Sequence, residues 1–264
     1  MFRLTREVRF AVNAPGAASD PPGLNAFGGA PALRGIGRYL ALQVTLGGEL
    51  NPQSGYLRNI KEVDQVVRQI AVPLAAAVLR NGKFDGGATL LTKIFAALKD
   101  TLPPCEVERL HLALSPTTAL SLSAQEIPMI RHHQKFEFCA AHRLNNSALS
   151  EERNRQLFGK CNNPNGHGHN YILQVSVAGR PSTDGIVIPA ADLESIVRSN
   201  VLEPFDHKNL NTEVEEFAKL NPTVENIARV IHERLKPKFE KAGVKLAGVT
   251  VWESERTWCE YEDR

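Results

Sequence analysis

Two histidines separated by one glycine are the residues of this sequence with the clearest capacity for chemistry. His167 and His169 follow the turn residue Gly166 and open an apolar run that begins at Tyr171. Because alternate side chains of a β-strand point to one face, both imidazoles project in the same direction. His142, at the end of an earlier alternating run, is a third nitrogen donor. Three histidines with an open fourth position are typical of a catalytic zinc site.

The histidines do not all carry the same weight. Taken alone, His142 is more readily interpreted as a surface or satisfied core histidine. The His-Gly-His pair follows Cys161 by six residues, which favours a functional role. A metal, a histidine or a nearby cation can lower the pKa of a thiol, so Cys161 is a candidate general base.

Further candidates lie downstream. The pair Asp206-His207 can form a proton relay, or it can be a cap at a helix end, and the pattern alone leaves both interpretations open. Glu253 follows a buried strand pattern, and its carboxylate could accept two adjacent N–H groups. Cys139 and Cys259 fall in strand patterns and are expected to be buried small hydrophobic residues.

These motifs together resemble the 6-pyruvoyl tetrahydropterin synthase family. Cys-x5-His-Gly-His from Cys161, His142 upstream and Asp-His-Lys-Asn-Leu at 206–210 occur in that family's order. The segments 222–226 (Pro-Thr-Val-Glu-Asn) and 251–253 (Val-Trp-Glu) continue the resemblance, which covers residues 136 to 261. Related enzymes that form 6-carboxytetrahydropterin usually have a shorter spacing between the cysteine and the histidine pair, so the spacing here favours the pyruvoyl type.

The resemblance implies a role for each of these residues. Zn²⁺ would be held by His142, His167 and His169. Cys161, Asp206 and His207 would form a Cys–Asp–His set whose members are contributed across a subunit boundary. Glu253 would anchor the pterin, with Thr223 and Glu225 as neighbours in the pocket, although either of these could equally be a helix cap. Arg143, Lys160 and Lys208 are nearby cations that could meet a triphosphate.

The implied activity is a zinc-dependent carbon–oxygen lyase. It would convert 7,8-dihydroneopterin triphosphate to 6-pyruvoyl-tetrahydropterin, as in tetrahydrobiopterin biosynthesis, with loss of triphosphate. The nearest alternative is a 6-carboxytetrahydropterin synthase of the queuosine pathway, a carbon–carbon lyase acting on the same substrate. A non-catalytic pterin-binding protein and a nucleotide cyclohydrolase are more distant alternatives. The chain contains no Gly-x-Gly-x-x-Gly after a strand and no phosphate-loop lysine, so no nicotinamide or P-loop chemistry is expected.

An internal repeat predicts two domains. Residues 35–44 align with residues 166–175, and similar strands and amphipathic runs precede and follow both segments. In the first copy, Ile36, Arg38 and Ala14 occupy the places of the three histidines. We therefore expect a degenerate unit without the zinc site at 1–125 and a catalytic unit at 126–264, with a linker at Ser121–Arg131. The resemblance implies an α+β tandem tunnelling fold (T-fold), in which each unit has a four-stranded antiparallel sheet with two helices on one face.

Composition limits the remaining classes. The 264 residues include 31 basic and 29 acidic side chains, so neither nucleic acid nor a membrane surface is an expected partner. No apolar run approaches the length of a membrane span, and the four cysteines lack Cys-x-x-Cys spacing. We expect a reduced, cytoplasmic homo-oligomer, either a trimer of tandem units or a larger assembly. The ring arrangement, with copies alternating or segregated, stays open.

Overall fold

The computed structural model describes residues 1–16 and 27–262 of the chain. The chain divides into two compact units, one formed by Met1–His132 with Gly179–Val187 and the other by His133–Ala178 with Ile188–Arg264. Both units combine antiparallel strands with α-helices, which confirms the α+β class. The domain boundary at 125/126 and the degenerate or catalytic character of each half remain predictions.

The first unit is an antiparallel sheet with two long helices. Within the described residues its strand order is β1-β2-β3-β4, and β1 pairs with β2 from Phe2↔Gly48 to Asn13↔Gly37. The elements are β1 (Phe2–Asn13), β2 (Gly37–Gly48), α1 (Ile60–Arg80), α2 (Ala88–Leu98), β3 (Glu106–Ala113) and β4 (Thr118–Ser123). Helix α1 begins after Asn59, whose side chain accepts a hydrogen bond from the Lys61 amide. It buries a stripe of small apolar residues spaced four apart, namely Val63, Val67, Ala71 and Ala75.

The second unit repeats the sheet and has more helical segments. Its strands follow the order β5-β6-β8-β9, and the short β7 pairs with β5 in parallel. The strands are β5 (Ile130–His142), β6 (His167–Gly179), β7 (Lys208–Asn209), β8 (Lys245–Ser254) and β9 (Thr257–Tyr261). The helices are α3 (Glu151–Phe158), α4 (Ala190–Val197), α5 (Glu203–Phe205), α6 (Leu210–Glu213) and α7 (Val224–Lys241), and a 3-10 turn spans Gly159–Asn162. No helix in the described ranges is both long and apolar enough to cross a membrane.

Helix α7 follows the predicted pattern closely. Thr223 is its N-cap, and the threonine hydroxyl accepts a hydrogen bond from the Asn226 amide. The predicted apolar face is buried, including Ile227, Ile231, Leu235 and Phe239. The helix ends just before Gly243, whose φ of +81° allows the left-handed turn that terminates it. The helix packs against β8 and β9.

One sequence-based expectation is wrong, and one helix was not predicted. The predicted linker Ser121–Arg131 is shorter than expected, because β4 continues to Ser123 and β5 already begins at Ile130. Buried Leu120 and Leu122 alternate with serines there, and the serine content hid the strand pattern. Helix α3 was not predicted, since its sequence is almost entirely polar and has no apolar stripe.

Strand β6 carries both core residues and polar residues on one face. Tyr171, Leu173 and Val175 are buried on that face, and His167 and His169 extend the same alternation to the open end of the strand. The histidines are therefore partly enclosed by the protein, while their glycine neighbour Gly168 faces the opposite side. The fold places the His-x-His motif at the rim of the hydrophobic core.

Candidate active site

Three imidazoles meet where β5 ends and the neighbouring β6 begins. The ligand-capable nitrogens of His142, His167 and His169 lie within 4.8 Å of one another. The ring centroids of His167 and His169 are 4.8 Å apart, as their spacing along one strand face requires. The His142 ring contributes from β5 and lies 4.5 Å from the His167 ring. The structure thus brings the three histidines together.

The orientation of His142 fits a metal ligand. Its side chain is fully buried, and its Nδ1 lies 2.7 Å from the carbonyl oxygen of Pro222. A carbonyl oxygen only accepts, so Nδ1 carries the hydrogen and Nε2 presents a lone pair. This Nε2 faces the Nε2 of His167 at 3.1 Å. A backbone carbonyl that fixes the tautomer in this way is a common partner of metal-binding histidines.

The electrostatics of the cluster also favour a cation. Burial, the largest influence, lowers the pKa values of His142 and His169 below their usual range. Neutral imidazoles are the forms that bind metals. The buried Nε2 of His169 and Nδ1 of His167 have no hydrogen-bond partner among the described residues. Converging lone pairs without donors fit a metal ion held by the three histidines.

The turn before β6 depends on Gly166. Its φ of +71° lies in the left-handed region, which side chains with a Cβ rarely adopt. A Cβ at this position would also lie 2.9 Å from the backbone carbonyl oxygen of His142. The glycine therefore allows the backbone of the turn to approach the end of β5, and this approach brings His167 against His142.

Glu253, near the end of β8, points into the same cluster. Its Oε1 lies 3.5 Å from His142 Nε2 and 3.6 Å from His169 Nε2. The glutamate side chain is 22% exposed, and it also borders an open cavity of about 730 Å³ lined by Lys135 and Trp252. The carboxylate therefore faces the histidines on one side and an accessible space on the other.

Cys161 lies in the 3-10 turn Gly159–Asn162 and is half-buried. Its backbone carbonyl accepts a hydrogen bond from Leu144, which ties the turn to the end of β5. The ring of Tyr171 packs against His142 and His169. The turn that carries Cys161 therefore lies next to the end of β5.

A cavity of about 690 Å³ opens beside His167 and the turn that carries Cys161. Three cationic side chains line it, Arg143, Arg155 and Lys160, together with a single acidic one, Glu151. Arg155 comes from the helix that was not predicted from the sequence. The charge balance of the cavity suits an anionic group. Lys208, the third cation expected near a triphosphate, instead forms an ion pair with Glu213 at 3.2 Å.

Asp206 and His207 form a pair on the other side of β5. Asp206 Oδ2 lies 2.9 Å from His207 Nδ1, and Asp206 Oδ1 accepts a hydrogen bond from the Cys139 amide at 2.8 Å. The hydrogen bond from the Cys139 amide, together with His207, lowers the pKa of Asp206. The His207 side chain is 80% exposed and its φ of +56° is unusual for a residue with a side chain. In the described part of the chain, neither residue forms a hydrogen bond or ion pair with Cys161.

Thr223 and Glu225 lie at the start of α7. The Thr223 hydroxyl caps this helix, which is the structural role that the sequence left open for it. Glu225 is exposed in the first helical turn, and its charge helps to raise the pKa of the Cys259 thiol, for which burial is the largest cause. The adjacent Pro222 contributes its carbonyl to His142, so this segment positions the cluster whether or not its side chains bind a ligand.

The sequence-based interpretation of two cysteines is wrong, and one tyrosine was missed. Cys139 and Cys259 are only partly buried, and the Cys139 thiol donates to the Asn170 side-chain oxygen at 3.1 Å. Tyr171 is fully buried, and its hydroxyl has no hydrogen-bond partner among the described residues. Burial, with the charges of Glu253 and Cys161, raises its pKa. Its position two residues after His169 on the same strand face was the signal available in the sequence.

The part of the chain that contains the cluster is similar to known proteins. Residues 131–264 match the family model described as 6-pyruvoyl tetrahydropterin synthase. A human protein named 6-pyruvoyl tetrahydrobiopterin synthase is 44% identical over 49% of this chain and 88% of its own length. A Haemophilus influenzae protein named 6-carboxy-5,6,7,8-tetrahydropterin synthase is 31% identical over 51% of this chain and all of its own.

A solved structure is also similar to this chain. The 6-pyruvoyl tetrahydropterin synthase of Caenorhabditis elegans is 38% identical, with a TM-score of 0.49, over 52% of this chain and 97% of that one. The match to the family model begins at residue 131, so it includes every histidine of the cluster, the Cys161 turn, Asp206-His207 and Glu253.

Proposed function

We propose that this chain, which belongs to the 6-pyruvoyl tetrahydropterin synthase family, is a zinc-dependent lyase acting on 7,8-dihydroneopterin triphosphate. Its products would be 6-pyruvoyl-tetrahydropterin and triphosphate. The observation that carries the proposal is the convergence of His142, His167 and His169 beside a glutamate, with a cationic cavity next to His167. Each of these groups meets one demand of the reaction.

His142, His167 and His169 would hold Zn²⁺. When bound, the ion would polarise the side-chain hydroxyls of the substrate and acidify the adjacent C–H bonds. Three neutral imidazole donors suit zinc and leave room for further ligands. The hydrogen bond from His142 Nδ1 to the Pro222 carbonyl keeps the Nε2 lone pair directed at the ion.

Cys161 would be the base that removes and returns protons at the substrate side chain. Its turn lies beside the histidine cluster, and a nearby cation favours the thiolate form. Asp206 would fix the His207 imidazole as the second proton-transfer group, since their side chains are 2.9 Å apart. Because His207 is exposed and makes no polar contact with Cys161, we propose that the pair serves the site of a neighbouring subunit.

Glu253 would accept the ring N–H and the 2-amino group of the pterin as a bidentate pair. The cavity of about 730 Å³ that it borders offers space for the ring system. Thr223 and Glu225 would be secondary contacts near this pocket. Arg143, Arg155 and Lys160, which line the separate cavity beside His167, would bind the triphosphate.

The first half would be a degenerate tunnelling-fold unit, and residues 126–264 would be the catalytic unit of a tandem chain. We propose that such chains assemble into a homo-oligomer, either a trimer of tandem units or a larger assembly. One zinc ion per chain is the stoichiometry that follows.

The product identifies the reaction. The zinc-loaded protein is incubated with 7,8-dihydroneopterin triphosphate, and the product is identified by mass spectrometry. A pyruvoyl product is the expected result. A carboxy product with acetaldehyde would move the protein to the second candidate, the 6-carboxytetrahydropterin synthase activity named for the Haemophilus relative. Unchanged substrate with one bound zinc would contradict both and leave a pterin-binding protein.

A further inference from the structure

The Glu253 carboxylate lies closer to the histidine cluster than an anchor for the pterin alone requires. Its Oε1 is 3.5 Å from His142 Nε2 and 3.6 Å from His169 Nε2. The pairing of β8 with β9 shifts register between Trp252 and Ser254, at this residue. A β-bulge of this kind redirects a side chain, and here the side chain turns toward the imidazoles.

Three of the distances in the cluster are close to those between ligands of a single ion. With zinc bonds of about 2.0–2.1 Å, the ligand atoms of a tetrahedral site lie about 3.3–3.4 Å from one another. The observed contacts are 3.1 Å between His142 and His167 and 3.5 and 3.6 Å from Glu253 to His142 and His169. The carboxylate oxygen of Glu253 therefore lies close to ligand-to-ligand distance from two of the three histidines.

An ordinary ion pair explains this arrangement less well. The Nδ1 of His142 donates to the Pro222 carbonyl, so in the neutral imidazole Nε2 has no hydrogen to donate to Glu253. Two acceptors, a ring lone pair and a carboxylate oxygen, then face each other. This contact is repulsive unless a cation lies between them.

We propose that Glu253 is the fourth ligand of the metal in the substrate-free protein and leaves the ion when a pterin binds. The inference rests on the proposed function only for the pterin. A carboxylate that accepts two parallel hydrogen bonds from a pterin uses both oxygens, so it cannot also ligate the ion in the same geometry. Binding of the ring would therefore free a coordination position just as the substrate side chain arrives.

Metal binding tests the ligand role without any turnover. The protein is loaded with cobalt(II), whose visible absorption reports coordination number, and its affinity is measured by competition with a chromophoric chelator. Glu253→Gln should lower the affinity by about tenfold or more and change the absorption bands. The matched control is Glu255→Gln, which removes the same charge from an exposed position two residues away. Equal affinities and identical spectra for Glu253→Gln and the wild type would overturn the proposal.

A second measurement uses the wild-type protein and does not depend on how a variant folds. Pterin itself, without a side chain, is added to the cobalt(II) protein, because it can engage the carboxylate but has no hydroxyls to replace it. The bands should shift in the wild type and stay unchanged in Glu253→Gln. If saturating pterin leaves the absorption bands of the wild type unchanged, the proposed release of Glu253 from the ion is wrong. A lack of turnover in the loaded wild type would instead contradict the proposed function. The ligand role of Glu253 would still be decided by the cobalt(II) spectra.

Discussion

The segments at 35–38 and 166–169 begin the second strand of their units with the same Gly-x-Gly-x pattern. Gly35 and Gly166 both adopt positive φ, +64° and +71°. The residues between and after the glycines differ in exposure as well as in type. Ile36 is 94% exposed and Arg38 is exposed, whereas His167 and His169 are half-buried. The same local turn is therefore solvent-exposed in the first unit and packed against other side chains in the second.

The difference shows how much of the site lies outside the motif. In the second unit, the turn approaches the carbonyl of His142, and the ring of His142 is held by Pro222. In the first unit, a Cβ at Gly35 would meet nothing within 4 Å, and Ala14 stands where the repeat places a histidine. A turn that directs two side chains the same way becomes a metal site only when other parts of the fold add a third ligand and bury the cluster.

The largest expected effect comes from removing the two side chains that distinguish these segments. His167→Ala with His169→Ala should reduce bound zinc from about one per chain to none, because a single imidazole remains. Zinc content is measured by elemental analysis after dialysis. The matched control is Ile36→Ala with Arg38→Ala, which should retain about one zinc. Loss of zinc in the control would show that the first unit also binds metal.

A large effect on turnover, without loss of metal, is expected at Cys161. Cys161→Ala should lower kcat by about 10²–10⁴-fold, the usual contribution of a positioned base, while zinc content is unchanged. Steady-state assays with 7,8-dihydroneopterin triphosphate measure this. Cys105→Ala is the control, since this thiol belongs to the first unit and donates to the Leu57 carbonyl. Activity like that of the wild type in Cys161→Ala would contradict its assignment as the base.

A moderate effect of pH follows from the buried histidine. The folded-state pKa of His142 lies below its ordinary value of 6.5. From that ordinary value down to the lower folded-state pKa, the unfolded chain binds more protons than the folded chain, so the free energy of unfolding falls as the pH decreases through this interval. For the metal-free protein, Tm should fall when the pH is lowered from about 7.5 to about 5.5, and the fall should be smaller in His142→Gln. The same drop in both proteins would place the titrating group elsewhere.

The smallest effect compares the two glycines directly. Gly35→Ala should lower the free energy of unfolding by about 1 kcal/mol, since a side chain at positive φ is strained but unobstructed. Gly166→Ala should cost at least about 2 kcal/mol, because its Cβ also meets the His142 carbonyl at 2.9 Å. Urea denaturation of both metal-free variants measures the difference. Equal costs would show that the close approach at Gly166 contributes little.

Periodicity predicted the elements, and it failed where polar residues interrupted the pattern. The buried face of α7 and its N-cap Thr223 were readable because apolar residues recur at helical spacing after a capping residue. Helix α3 has the N-cap Ser150 but no apolar stripe, so only the cap could have identified it. The partial exposure of Cys139 was not predictable, because a strand pattern alone does not say what covers each face.

The sequence by itself determined that His167 and His169 share a face, since alternation along a strand is a local property of the backbone. It also predicted the turn at Gly166 and offered a helix cap as one of two roles for Thr223. Only the tertiary structure decided that His142 faces them, that the Pro222 carbonyl fixes its ring, and that Glu253 turns toward the cluster. These partners are 25 or more positions apart, and packing of β5, β6, β8 and the start of α7 brings them within hydrogen-bonding range or close to it.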